Sequence, residues 1–257
     1  MKPTNPAKSP RAIAIIPARL ASERFPRKAL AAETGLPMVV HVAQAASRAR
    51  TVERVVIACD SVEIADAAMT NGVEAVLTDP THPNGTSRVA EAARKLGVPE
   101  ELIVVNVQGD EPEIDPGTID AAVKALAEKG TPVATVAAPM AIGEDASNPN
   151  IVKVVCDERG IAMYFSRSPI PYPRAGEVVR YKHIGLYAYR RSFLDVCTTI
   201  EPTRLEQAES LEQLRFLGHG YAIAVARVES SHPGIDTPEQ YAAFVKRWRE
   251  GDSARGV

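Results

Sequence analysis

Apolar positions in the first half of the chain come in blocks that alternate between two periods. Residues 12–18, AIAIIPA, are an unbroken apolar run, as a strand buried on both faces requires. Residues 37–50, PMVVHVAQAASRAR, then repeat apolar side chains at helical spacing behind Pro37. A second strand is predicted at 53–60, and a helix starting around Asp60 and Glu63 and stopping at Gly72. A strand at 74–78, a helix at 86–97 ending on Gly97, and a strand at 101–110 follow. Asp115 and Pro116 open another helix, and 133–138 is a fifth strand. Strand and helix in alternation predict βαβ units and a mostly parallel sheet. The second half is mixed. Residues 151–167 read as two strands around a turn at Asp157–Gly160, and 168–182 as an extended excursion with three prolines. A strand follows at 183–191. Thr203 with Glu206 predicts a capping box and one long helix to about Leu217. A strand at 222–228 and a helix announced by Thr237, Pro238 and Gln240 complete the pattern. The expected architecture is one α/β domain over 12–250 with a β-rich insertion near 160–190. Residues 1–11 and the last seven, GDSARGV, are expected to be loose tails.

Composition narrows the function classes. The chain has 257 residues, 45% of them apolar, so a sizeable core is available. A net charge of −2 argues against a general nucleic-acid binder. No apolar run approaches the ~20 residues of a membrane span, and the first 11 residues lack the apolar stretch of a signal peptide. Cys59, Cys156 and Cys197 are far apart and show no metal or disulfide spacing, which suits a reducing cytoplasm.

Against this acidic balance, the segment IIPARLASERFPRKAL (15–30) gathers Arg19, Arg24, Arg27 and Lys28 just past the first strand. Ligands of open parallel sheets bind at the carboxyl ends of strands, so these cations are placed to meet a polyanion. Guanidinium groups grip phosphate with two prongs, and lysine adds a compact charge. The loop lacks GxxxxGK[ST] and GxGxxG, so it is neither a P-loop nor a dinucleotide fingerprint. One arginine here would be an ordinary solvated residue. The constellation gains weight from two aspartates. Asp110 ends the apolar run of VVNVQGDEPEI, and Asp236 in GIDTPEQY sits between a strand and a helix. Both positions are common for caps, but Glu111 and Asp115 are better placed to cap the first helix, and Thr237 the second. Two carboxylates at strand ends suit Mg²⁺, which takes one or two carboxylates and completes its shell with waters and phosphate oxygens.

IIPARLASERFPRKAL, NGTSR, VNVQGDEP, YFSRSPIPY, HIGLYAY, LEQLRFL and GIDTPE occur in that order across almost the whole chain. Together they resemble the 3-deoxy-manno-octulosonate (Kdo) cytidylyltransferases, or CMP-Kdo synthetases. The resemblance implies a Rossmann-like nucleotidyltransferase fold, a homodimer, Mg²⁺, and CMP transfer from CTP to Kdo for lipopolysaccharide assembly. It gives the triphosphate to Arg19 and Lys28 with Arg24 assisting, and Mg²⁺ to Asp110 and Asp236. Gln108 falls beside the cytidine or sugar, and Gly85, Thr86 and Arg88 near base and ribose. The sugar acid falls to Arg167, His183, Glu212 and Gln213. The nucleotide half would be about 12–150, and the sugar-acid half with the dimer insertion about 151–220. One departure is visible: the family commonly shows PGKP where this chain has Pro26-Arg27-Lys28-Ala29. His82 and His232 read as loop residues, and Tyr187 and Tyr189 as packing or interface. Three neighbouring readings stay open: a cytidylyltransferase for sialic acid or an amino-substituted Kdo, a nucleotidyltransferase using a sugar phosphate, and a non-catalytic nucleotide sensor.

Overall fold

The computed structural model describes residues 10–229 and 234–255, with side chains as far as 251. His232 and nearly all of the expected amino-terminal tail lie outside the described residues. The first half runs β1 (Ala12–Ala18), α1 (Met38–Ala46), β2 (Val52–Cys59), α2 (Val62–Thr70), β3 (Glu74–Leu77), α3 (Gly85–Lys95), β4 (Ile103–Asn106), α4 (Pro116–Lys129) and β5 (Val133–Pro139). The second runs β6 (Lys153–Cys156), β7 (Ala162–Ser166), β8 (Tyr181–Arg190), α5 (Arg191–Cys197), α6 (Arg204–Glu209), α7 (Gln213–Gly218), β9 (Ile223–Arg227) and α8 (Pro238–Arg255).

The main sheet has the order β3-β2-β1-β4-β8-β5-β9. Its neighbours are parallel except around β8, which runs antiparallel between β4 and β5. Strand β8 is therefore a central strand, and only the β6–β7 hairpin stands off the main path, joined to the first residues of β8. Alternate residues of β1 feed two cores. Ala12, Ala14 and Ile16 face the layer holding α1 and α4, while Ile13 and Ile15 face the layer holding α3 and α7. A smaller cluster joins Met38 to Ile235, Tyr241, Phe244 and Val245, so α8 folds back over the start of α1.

Three expectations need correction. The helix predicted from Thr203 to Leu217 is two. Its capping box forms, but Ser210 adopts φ 51° and ends α6, and α7 restarts three residues later. Second, α2 is capped by Ser61, whose side chain accepts from the Glu63 amide, leaving the Asp60 carboxylate for other work. Third, α8 continues to Arg255, so most of GDSARGV is helical.

Candidate active site

The strand order turns at β1 and β4, whose connections leave in opposite directions. A cleft of about 410 Å³ opens at their carboxyl ends. Its floor requires glycine. A Cβ on Gly109 would lie 2.6 Å from the Pro17 carbonyl oxygen, so only glycine lets the end of β4 pass this close to β1. The amino terminus of α3 forms one side, capped by Asn84, which accepts from the Ser87 amide.

The opening loop is pinned from several directions. The Leu20 amide donates to Asp60 at 2.9 Å, and Arg27 pairs with Glu63. Phe25 packs on Tyr241 with ring centroids 5.4 Å apart. Lys28 carries the central contacts. Its ammonium, 15% exposed, donates to Asp110 at 2.9 Å, to the Ile235 carbonyl at 2.7 Å and to Asp236 at 3.2 Å. Arg24 meets the other oxygen of Asp236 at 3.0 Å. The Ile235 amide donates to the Asp110 carbonyl at 2.8 Å, so the backbone itself brings the two aspartates together. Asp110 and Asp236, 126 positions apart in sequence, thus face one cation. Arg19 lines the same cleft. Arg88 is buried, donates to Thr78 at 2.6 Å and lies 3.6 Å from Asp60. It therefore braces the cleft wall through the carboxylate that holds Leu20. Asp115 caps α4 as expected, but Glu111 makes no cap. Burial, with the adjacent Asp110 charge, pushes the Glu111 carboxyl up to about 8.

A second cleft of about 250 Å³ adjoins the first, and the two share Gly85 and Gln108. Its geometry follows from β8. Because β8 is antiparallel to β4 with Tyr187 opposite Asn106, its earlier residues project past the carboxyl end of β4. An irregularity opposite Thr135 and Val136 places Gly185 beside Gln108, whose amide donates to the Gly185 carbonyl at 3.1 Å. His183, Glu212 and Gln213 line this cleft, with Thr86 on the α3 side. Burial lowers the His183 pKa to about 3, so the imidazole is neutral at any ordinary pH; its Nε2 pairs with the Thr135 hydroxyl at 2.9 Å. Burial raises the Glu212 carboxyl, and a hydrogen bond from Thr86 partly opposes that shift. The break at Ser210 turns Glu212 and Gln213 inward, where an unbroken amphipathic helix would have left them on a polar outer face.

Arg167 sits elsewhere. Its guanidinium donates to the carbonyls of Glu209 at 2.6 Å, Pro149 at 2.7 Å and Ser210 at 3.2 Å, and it is not among the residues lining either cleft. It clamps the α6–α7 joint. Sequence reading also missed Asn106, Tyr187 and Tyr189, which line the second cleft. The two tyrosine rings stack at 5.8 Å, and burial raises both hydroxyls well above their ordinary range. Alternation along a strand gave no sign that this face borders a cavity. Asp60 was readable as a helix cap, which hid its part in the opening loop.

Among the described residues, no group of three or more His, Cys, Asp or Glu is arranged to hold a metal, and no helix is long and apolar enough to cross a membrane. A family model described as cytidylyltransferase matches residues 13–224. The 3-deoxy-manno-octulosonate cytidylyltransferase of Polynucleobacter necessarius is 46% identical over 239 residues, covering 91% of this chain and 94% of its own. That of Neisseria gonorrhoeae is 48% identical over 238 residues, covering 88% and 94%. A solved CMP:2-keto-3-deoxy-manno-octonic acid synthetase complexed with CTP superposes with a TM-score of 0.88 at 37% identity, over 94% of this chain and 99% of that one. With paired clefts at the carboxyl ends of β1 and β4 and identity of this order over nearly its whole length, the chain belongs to the 3-deoxy-manno-octulosonate cytidylyltransferase family.

Proposed function

We propose that this protein transfers CMP from CTP to the anomeric hydroxyl of Kdo, releasing pyrophosphate and supplying CMP-Kdo for lipopolysaccharide synthesis. The observation that carries this is the meeting of two chemically different clefts at Gln108 and Gly85. One is lined by Arg19, Arg24 and Lys28, the chemistry of a triphosphate. The other offers a neutral imidazole, an amide, a carboxyl group and tyrosine hydroxyls, the chemistry of a polyhydroxylated sugar. A nucleotide in the first and a sugar acid in the second would meet at the shared residues.

Nucleotidyl transfer needs positioning and charge neutralisation more than it needs a covalent nucleophile. The anomeric oxygen attacks the α-phosphorus, the bond to the β-phosphate oxygen breaks, and pyrophosphate departs. Arg19, Arg24 and Lys28 would neutralise the phosphates, Gln108 would hold the junction, and His183, Glu212 and Gln213 would orient the sugar. Asp110 and Asp236 fit Mg²⁺, because two convergent carboxylates already face one ammonium between them and leave the remaining ligand positions to water and phosphate. When bound, the ion would supply Lewis-acid polarisation of the reacting phosphate. We assign the protein to the cytoplasm, where CTP is available, and read it as a homodimer. A pyrophosphate-release assay with CTP tests the reading when run across Kdo, amino-substituted Kdo and sialic acid. Turnover should be greatest with Kdo. Preference for another sugar acid, or pyrophosphate release independent of any acceptor, would overturn it.

A further inference from the structure

His82 reads in the sequence as a loop residue, and the proposed reaction does not use it. In the structure its ring lines the nucleotide cleft together with Arg19 and Arg24. It is held from behind: Nε2 bonds the Glu91 carboxylate, whereas Nδ1 has no hydrogen-bond partner among the described residues. Glu91, one and a half turns into α3, also accepts from the Asp79 amide at 2.9 Å and pairs with Lys95 at 2.7 Å. Both His82 and Glu91 side chains are largely covered, at 16% and 17% exposure. A solvated surface pair would not be built so: one carboxylate collects three donors and fixes an imidazole against a cleft prepared for an anion.

We propose that Glu91 and His82 form a proton-linked positioning pair for the nucleotide, in which binding draws a proton onto the imidazole. Nε2–H would then donate to Glu91 and Nδ1–H to an oxygen of the bound nucleotide. The proton comes from solvent, and no other bond changes. The inference rests on CTP being the ligand of this cleft. Partial burial works to raise the Glu91 pKa, but Lys95, the Asp79 amide and His82 override it and hold it down to about 2. Glu91 is therefore anionic throughout the range in which an imidazole titrates. The other charges around the ring are Asp79 from the turn after β3, Lys95 and Arg88 from α3, and Arg19, Glu23 and Arg24 from the opening loop. Asp110 and Asp236 line the same cleft. In the free cleft, Arg19, Arg24 and Arg88 share the lining with His82. A triphosphate would neutralise these cations and add negative charge beside the ring, which favours an imidazolium there.

The test is calorimetric titration of CTP, without Kdo, into the full chain between pH 6.5 and 8.5 in buffers of different ionisation enthalpy. Wild type should take up part of a proton on binding. His82→Gln, which keeps a donor toward Glu91, should remove that part and flatten the pH dependence of KM for CTP, with kcat nearly unchanged. The difference between proteins cancels the proton that the triphosphate itself exchanges. Glu91→Gln should shrink the uptake and weaken CTP about tenfold at neutral pH. Imidazole ¹⁵N shifts of His82 should move to doubly protonated values when CTP is added. Equal proton uptake in wild type and folded His82→Gln, or ¹⁵N shifts of a neutral ring in the complex, would overturn the pair while leaving the CTP reading intact. Absence of CTP binding to wild type would overturn both.

Discussion

Arg27 occupies the left-handed region, at φ 59° and ψ 26°, a conformation that favours glycine. This conformation costs a residue with a Cβ about 1–2 kcal/mol. The compensating contact is the ion pair with Glu63, and both partners are about half exposed, so it returns at most about 1 kcal/mol. The position next to Lys28 is therefore held by strain that the surrounding loop contacts overcome. Arg27→Gly should be more stable than Arg27→Ala by roughly 0.5–1 kcal/mol in urea unfolding, since only alanine keeps the left-handed penalty. An alanine variant as stable as the glycine variant would remove the strain account. Asp236 tests the charge arrangement instead. Its carboxylate caps nothing in α8, because Gln240 accepts from the Asp236 and Thr237 amides. Asp236→Asn should therefore lower turnover on the order of a hundredfold, with melting little changed because the side chain is 41% exposed. Near-normal CMP-Kdo formation by the folded variant would contradict its assignment.

At the scale of elements, the order of strands and helices was legible because each period was clean. β1, β5 and the β6–β7 hairpin fall within two residues of the predicted limits, and Asp115–Pro116 and Thr203–Glu206 mark real helix starts. Two features were not legible. Strand β8 reads as a strand, but nothing local says that it enters the main sheet antiparallel between β4 and β5. That is a long-range pairing, and it puts His183, Gly185 and Tyr187 into the lining of the second cleft. The α6–α7 break was equally hidden, since Ser210 is no strong helix breaker. The break is held from 43 residues away, where Arg167 takes the Ser210 carbonyl and also that of Glu209. Lys153, wholly buried, adds a parallel brace by donating to the carbonyls of Ile151 at 2.5 Å and Asn148 at 3.2 Å, and to that of Arg167. Arg167 thus acts on the second cleft, proposed for the sugar acid, through the joint that presents Glu212 and Gln213. Arg167→Ala should raise KM for Kdo about tenfold to a hundredfold while leaving CTP affinity nearly intact, together with a lower melting temperature. Calorimetric CTP titration beside steady-state kinetics in both substrates measures this. A variant that lost CTP affinity and kept its Kdo dependence would break the division into nucleotide and sugar clefts.

For the molecule as a whole, the two clefts leave a set of exposed apolar side chains unexplained. Eight large apolar side chains are exposed among the described residues, and four of them, Ile142, Met163, Tyr172 and Val179, fall between the end of β5 and the start of β8. This segment carries the β6–β7 hairpin and the proline-rich excursion, and three of the four, Met163, Tyr172 and Val179, lie within the part expected to make the subunit contact. A monomer gains nothing from holding these side chains in water, and in the proposed homodimer they are candidates for cover by a second copy. In a two-fold interface each side chain is buried twice per dimer, so one substitution acts at two places. Burying a large apolar side chain contributes about 1.5–3 kcal/mol, so introducing a charge at such a position should weaken association by at least a hundredfold. Met163→Glu with Tyr172→Glu should therefore sediment as a monomer at concentrations where wild type is a dimer. CTP affinity should persist, because the cleft proposed for the nucleotide is built from β1, β4 and α3. Sedimentation equilibrium with a parallel CTP titration decides the matter. Wild type that stays monomeric at tens of micromolar would dismiss the dimer, and a double variant that dimerises like wild type would move the interface to another face.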